Sequence, residues 1–412
     1  MSPRPMIFLS TRAPWPPVTG HFMRTYRTVA ALAKERPVHF LGFFDKGLDA
    51  DARARARSAL EKVCASVWIG EVPAETSNWL LFRDLLVATV TLKPFVAVKY
   101  YSSDMRKRLK EQYQRTPDAI VWADMLPLAE YLKHLPSAQS ILTMHNVEST
   151  RLARLAAGAA NPLVRFGLGL QARLLAAYER RVMPMIDHCV AVSVADASEL
   201  AKLAPRCRIA VVPNGAELSV DPVLWGTEPR PTAIWVGGMK DPYNKEAVDV
   251  FCKAALPEII RRVPDFQWLV VGGSPADSVL AAKERFPQAV RVLGFVDNLE
   301  QQYHRAHIAL IPLQSGAGTK LKVLEAMGMG LAVVTTPVGA EGLDAVHDTH
   351  MSISVGIQKL VDETCRLLGD RRAAMRIAQA AHRLVEQRFQ WPLIETAFRA
   401  EAEMIDLQGI DT

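Results

Sequence analysis

Short apolar runs alternate with segments of helical apolar spacing along most of this chain, and the alternation begins afresh near residue 210. In the first half Met6–Ser10, Val38–Phe43, 67–69, 119–122, Ser140–Met144, 188–193 and 209–212 read as strands. Between the first two, residues 21–35 carry Phe22, Tyr26, Val29, Ala30 and Ala33 at helical spacing, and 50–64 reads as a helix rich in Ala and Arg. Strands that are apolar throughout, separated by helices, belong to a parallel sheet covered on both faces. Pro213, Asn214 and Gly215 then mark a turn, and 217–230, with Pro222, Gly226 and Pro229, reads as a linker. The second round places strands at 233–236, 267–271, 290–293, 308–312 and 332–335, with helices at 244–263, 276–286, 299–305 and 320–329. The expectation is an α/β protein of two doubly wound, Rossmann-like domains, 1–216 and 217–391. The last segment, 370–412, reads as helices broken near Trp391 and Pro392. No strand follows it, so helix 392–412 has to dock elsewhere to bury its apolar side, and it is expected to cross back to the first domain.

A length of 412 residues fits two domains. Half the residues are hydrophobic and 22% are charged, which excludes extensive disorder. The net charge of +6 suits an anionic ligand or an anionic lipid surface as well as scattered surface charge. Five cysteines, far apart and odd in number, read as reduced cytosolic thiols. The first apolar run is too short for a signal-peptide core, and no stretch of about 18 apolar residues lacks charge, so a cytoplasmic protein with no membrane span is expected. The basic residues are not organised with an aromatic-bearing nucleic-acid fold, which argues against a nucleic-acid partner.

The most informative stretch runs from Ser315 to Gly330, between a strand ending at Pro312 and a helix. Gly316, Ala317 and Gly318 are small enough for a ligand to approach the backbone. The amides at the start of the helix, together with its dipole, attract an anion. Lys320 and Lys322 fall in the first turn, where a cation opposes the dipole unless an anion sits nearby. That conflict favours phosphate binding over two surface lysines. Glu325 stands among Val323, Leu324, Ala326 and Met327, where it either pairs with a buried cation or accepts the two vicinal hydroxyls of a ribose.

On these residues the chain resembles the retaining GT-B glycosyltransferases called glycosyltransferase group 1, and especially the branch found in bacterial exopolysaccharide loci. The stretch Ser315–Met327 has the pattern of that branch, as do Val333–Gly342, Val212–Gly215, Trp235–Met239 with Asn244, His145–Glu148, Tyr178–Arg181 and Ala191–Ser193. The resemblance covers nearly the whole chain and is strongest in the second half. It implies a GT-B fold whose two domains face a cleft, and a metal-independent enzyme without a cofactor. Such an enzyme moves a sugar from a nucleoside-diphosphate sugar to a glycan or lipid-linked acceptor with retention. It further implies that Glu325 holds the donor ribose and that Gly318, Thr319, Lys322 and Lys320 hold the diphosphate. The turn at Phe295 and Val296 would receive the nucleobase, and Lys245 would add a phosphate contact. Many relatives carry a glutamate where this chain has Ala317, and an arginine where it has Gly237 to Met239.

In the first half, the loop from Thr11 to Gly20 is rich in proline and precedes a helix. Gly20 would let backbone approach the donor, and Arg24 would meet the leaving diphosphate, the alternative being a plain strand-to-helix connection. His145 follows a strand at the carboxyl edge of a sheet, where ligands of α/β proteins bind. By the resemblance it contacts sugar, and together with Lys322 it is the expected catalytic residue. Asp124 and Glu148 lie at carboxyl edges too. No Asp-x-Asp cluster and no zinc spacing is present, so no metal is expected. The apolar residues at 79–82 and 85–90 precede a basic run that includes Lys93, Lys99, Arg106, Lys107, Arg108 and Lys110, and 161–181 is a second basic amphipathic stretch. Their apolar faces read either as core or as lying on anionic lipid, which would make the protein peripheral to the membrane. A GT-B epimerase would need carboxylates about the sugar, against which Ala317 counts. A non-catalytic nucleotide-sugar-binding subunit would not need both Glu325 and Lys322.

Overall fold

The computed structural model describes residues 3–159, 161–222, 224–316 and 318–408. The chain divides into two compact units, residues 1–213 with 392–412, and residues 214–391.

The first unit is built on a parallel sheet of β1 (Met6–Ser10), β2 (Val38–Phe43), β3 (Ser66–Gly70), β4 (Ile120–Asp124), β5 (Ser140–Met144), β6 (His188–Ala191) and β7 (Arg208–Val211). Their order across the sheet is β3-β2-β1-β4-β5-β6-β7. β1 therefore lies between β2 and β4, with Phe8 opposite both Phe40 and Trp122, and Ser10 opposite Asp124. Side chains alternate between the faces of a strand, so Phe8, Phe40 and Trp122 share one face. Their rings pack 6.0–6.3 Å apart. The terminal helix Trp391–Gln408 closes that face from Pro392 onward. Phe398 meets Trp122 edge-on at 6.1 Å, and Ile394, Ala402 and Ile405 are buried with it. On the opposite face Ile7, Leu9, Leu41, Val121 and Ala123 pack with Met105, Leu109 and Tyr131.

The second unit repeats the plan with β8 (Thr232–Val236), β9 (Gln267–Val271), β10 (Val290–Gly294), β11 (Ile308–Ile311), β12 (Ala332–Thr335) and β13 (Ser352–Ile353), in the order β10-β9-β8-β11-β12-β13. Its ends lie side by side. Ala216 bridges Gln390, its amide donating to the Phe389 carbonyl at 2.8 Å. Gly215 lies against the Trp391 indole, where a Cβ would come within 2.5 Å of the ring. The glycine of the Pro213–Gly215 turn is therefore a packing requirement.

Three expectations from sequence shift. The helix expected over 320–329 is Leu321–Gly328, with Lys320 at its N-cap. The helix expected from 244 starts at Pro242 under an Asp241 cap and widens into a π turn at Phe251–Ala255, just before Pro257, which has no amide to donate. The two-residue β13 was too short to read. In both sheets the chain reverses direction of travel across the sheet at one place, between β1 and β4 in the first unit and between β8 and β11 in the second. The carboxyl ends of strands at such switch points are where doubly wound folds bind ligands.

Candidate functional site

In the second unit, Gly237 follows β8 and the glycine loop follows β11, so both flank the switch point. Gly316 and Gly318 have φ of 125° and 71°, conformations that side chains disfavour. No side chain caps the helix Leu321–Gly328, which leaves its leading amides to a ligand. Thr319 Oγ1 and the Tyr243 hydroxyl, whose ring lies beside Gly316, are buried without a hydrogen-bond partner. Buried polar atoms left this way are few in folded proteins, and each calls for an explanation.

Lys322 lies over the Trp235 ring, its Nζ 4.3 Å from the ring centre, and donates to Asn244 Oδ1. Asn244 is held in turn by the Gly238 carbonyl at 2.7 Å. Gly237, at φ 155°, makes room for the lysine, since a Cβ there would lie 2.8 Å from Nζ. Burial pulls the Lys322 ammonium down to about 8, against the opposing pull of Asp241 and Glu325. Glu325, one turn along the same helix, is pushed up by burial and held down by Lys322. Tyr303 lies near it, its hydroxyl buried without a hydrogen-bond partner. A cation and a carboxylate, both partly desolvated, thus share the end of the glycine loop.

The other expected donor residues are placed less uniformly. Lys320 folds back onto the Gly318 carbonyl at 2.5 Å and lies 3.7 Å from Glu341. Lys245 pairs with Asp249 at 2.7 Å on the exposed side of its helix, and Asn244 is the residue that meets Lys322. Phe295 is exposed and Val296 half-packed on the core, after the turn at Gly294. Ala317 lies outside the described residues.

In the first unit, β4 ends at Asp124, His145 follows β5, and His21 is the second residue of the helix Gly20–Ala33 that follows β1. Because β1, β4 and β5 are neighbours, the three side chains converge at the switch point. His145 Nε2 lies 2.8 Å from Asp124 Oδ1, and Thr25 Oγ1 donates to Oδ2 at 2.5 Å. Burial would raise the Asp124 carboxyl, yet the interactions with His145, His21 and Thr25 outweigh it and hold the group at about 2. The His21 ring meets His145 edge-on at 4.9 Å, and both its ring nitrogens are buried without a hydrogen-bond partner. Burial first, then His145, lowers it to about 4, so it is neutral near pH 7. Sequence reading placed His145 and Asp124 at sheet edges but passed over His21, whose only signal was its position just after the first strand's loop.

Arg24 is placed differently from expectation. Its guanidinium is buried, donates to the Val212 and Pro213 carbonyls at 2.7 Å each and stacks on Phe398 at 4.8 Å. Within the first unit it is a packing element. Gly20 opens the helix behind a Thr19 cap. Among the described residues His21, Asp124 and His145 are also the group whose ligand atoms approach closely enough to hold a metal, all within 4.8 Å of one another. The charge of buried Arg24 is felt at His21 and opposes a cation there.

The apolar faces of the first unit are not all core. Trp79, Phe82, Leu86 and Val90 form one exposed stripe on the helix Asn78–Val90, and Leu163, Phe166 and Leu170 form another on Pro162–Val182. The short helix Phe95–Lys99, which follows the first of these, is tied to the second by the Phe95 amide, which donates to Gln171 Oε1 at 3.3 Å. Arg106, Lys107, Arg108 and Lys110 are exposed on Ser103–Arg115, whereas Lys99 pairs with Glu75 and Lys93 lies 3.6 Å from Glu130. No helix among the described residues is long and apolar enough to cross a membrane.

Comparison with known proteins follows the two units. Residues 74–220 match the family model described as Glycosyltransferase Family 4, and residues 230–370 match that described as Glycosyl transferases group 1. A phosphatidyl-myo-inositol mannosyltransferase of Mycolicibacterium smegmatis is 27% identical over 213 residues, 48% of this chain and 53% of that protein. The chain thus spans about half the length of this curated relative, and less of the others it matches. Among solved structures, a sucrose-phosphate synthase from Thermosynechococcus elongatus superimposes with a TM-score of 0.66 at 13% identity, covering 98% of this chain and all of that one. Anabaena HepE, solved with UDP and glucose, gives 0.62 at 13% identity over 98% of this chain and 99% of that one. At such identity the likeness is one of fold, the GT-B fold of two Rossmann-like domains. The family models and the mannosyltransferase relative support a glycosyltransferase.

Proposed function

We propose that the chain is a GT-B glycosyltransferase that moves a sugar from a nucleoside-diphosphate sugar to a glycan or lipid-linked acceptor in bacterial polysaccharide synthesis. The observation that carries this reading is the placing of Lys322 and Glu325, both partly desolvated, one turn apart on the helix that follows the positive-φ glycine loop. In the proposal Glu325 accepts the ribose hydroxyls. The amides of Gly318 and Thr319, with Gly316 and Ala317 leaving room, cradle the diphosphate, while Lys320 and Lys322 meet its charge as the bond to the sugar breaks. The turn at Phe295 and Val296 takes the base. Neutralisation by amides and ammonium groups makes the transfer metal-independent. Retention follows the resemblance of the Ser315–Met327 stretch to retaining enzymes. UDP is the first nucleotide to test, since it is bound in HepE.

Glu325→Ala tests the donor site. Losing charge-assisted hydrogen bonds to the ribose is expected to weaken binding of free nucleoside diphosphate roughly 10- to 150-fold. Titration calorimetry with UDP and GDP measures it. Unchanged affinity in a folded variant would return Glu325 to a structural role.

For the acceptor side we propose that the exposed stripes Trp79–Val90 and Leu163–Leu170, with Arg106, Lys107, Arg108 and Lys110, rest on an anionic lipid surface on the cytoplasmic face. Sedimentation with anionic vesicles is then expected to fall as salt rises, and to fall further in Phe82→Ser. Absence of binding at every salt concentration would leave a soluble acceptor.

A further inference from the structure

His145 and Asp124 make a pair whose chemistry depends on which imidazole nitrogen carries the proton. A carboxylate can only accept, and Asp124 is held ionised, so the proton between Oδ1 and Nε2 belongs to Nε2. In that tautomer His145 presents an unprotonated Nδ1. Asp124 cannot swing away, because it is buried and its other oxygen is held by Thr25. His21 adds a second, neutral imidazole 4.9 Å from the first, with both nitrogens buried and unpartnered. All three stand at the carboxyl ends of adjacent strands. Two imidazoles so placed, one offering an unprotonated nitrogen and the other a ring N–H, suit a group that both donates and accepts, which a sugar hydroxyl does.

We propose that Asp124 is a positioning residue that fixes His145 in the Nε2–H tautomer, and that His145 and His21 together bind one substrate hydroxyl. The hydroxyl donates to His145 Nδ1 and accepts from the ring N–H of His21. The hydroxyl half of the proposal rests on the glycosyl-transfer reading, whereas the tautomer half does not. The hydroxyl belongs either to the transferred sugar or to the acceptor, and the experiment separates these.

The first arm needs no substrate. Long-range proton–nitrogen NMR spectra of protein labelled at histidine, with His145 assigned by its loss in His145→Ala, are expected to show the Nε2–H form. Asp124→Asn should shift that population toward Nδ1–H, because an amide can donate to Nε2. Thr25→Val, which removes the other bond to the same carboxylate, should leave the tautomer in place. Wild-type protein in the Nδ1–H form, or a tautomer indifferent to Asp124→Asn, overturns the proposal even if no donor has been found. The second arm is kinetic. Asp124→Asn is expected to lower turnover roughly 10- to 150-fold, the worth of one charge-assisted hydrogen bond, and His21→Ala roughly 2- to 10-fold, the worth of one between neutral groups. In a His145→Ala background Asp124→Asn should cost nothing further. An equal cost in both backgrounds overturns the positioning role. If His21→Ala also slows donor hydrolysis by water, the hydroxyl is on the transferred sugar. If it slows only transfer to sugar acceptors, the hydroxyl is the acceptor's. No effect on either sinks the hydroxyl site.

Discussion

Lys322→Ala is expected to lower kcat about 100- to 1,000-fold, the usual cost of removing one donor aimed at developing charge, while raising the donor dissociation constant much less. The ammonium matters most when the leaving diphosphate gains charge, and in the resting protein it already has Asn244 and the Trp235 ring as partners. Single-turnover and steady-state kinetics separate the two quantities, and an effect confined to KM would remove Lys322 from the reacting centre. The same residue sets a pH window. Its cation is present below about 8 and is lost as pH rises through that value, so affinity of the unliganded protein for nucleoside diphosphate is expected to fall across that window, and not to do so in the alanine variant. For stability the sign is opposite to that of a salt-bridged lysine. The folded protein disfavours the charged form, so a cost on the order of 3 kcal/mol is fully present below about 8 and is relieved as pH rises from there toward the unfolded value of 10.5. Lys322→Met, which keeps the bulk and removes the charge, is therefore expected to melt no lower than wild type at pH 7 while losing turnover. A clearly lower Tm would show that the ammonium stabilises the fold.

Phe398→Ala is expected to destabilise the first unit by about 3–5 kcal/mol, the range for emptying a buried aromatic site. The ring is 1% exposed, meets Trp122 edge-on and carries the Arg24 guanidinium on its face. Its loss opens a cavity and strips a partner from a buried cation that also grips the Val212 and Pro213 carbonyls. Differential scanning calorimetry should show one transition moved down and a second, belonging to residues 214–391, unmoved. A shift of both transitions, or of neither, would contradict this account.

Local signals and assembled ones differ in how far the sequence reveals them. All the strands but β13 were legible because they are mostly apolar, and Gly316, Gly318, Lys322 and Glu325 were legible because one loop and one helix carry them all. The partners of Lys322 were less so. Trp235, Gly237 and Asn244 reach it from β8 and the start of the next helix, and that approach depends on β8 and β11 being neighbours. His21, Asp124 and His145 are far apart along the chain, and only the order β1-β4-β5 brings them together. Sequence put His145 at a sheet edge and could not say that a carboxylate fixes its ring. The packing of Arg24 was hidden for a related reason, since the Phe398 that stacks on it is far away along the sequence. The stripes at 79–90 and 163–170 have the spacing of core faces, and only their exposure separates them from one.

The terminal helix that closes the sheet of the first unit sets an order of assembly during synthesis. Residues 214–391 are contiguous, so the second unit has all its strands and its Ala216–Gln390 bridge once Trp391 is made. The first unit begins earlier and finishes later. Its Phe8, Phe40 and Trp122 face stays open until Phe398, Ala402 and Ile405 leave the ribosome. The nascent chain therefore carries an uncovered aromatic sheet face through the whole time in which residues 214–391 fold, the reverse of the N-terminal-first order usual for domains in tandem. Chains stalled or cleaved before residue 398 would have a finished second unit attached to a first unit that exposes its core, which makes the helix Trp391–Gln408 a checkpoint on the strands made first.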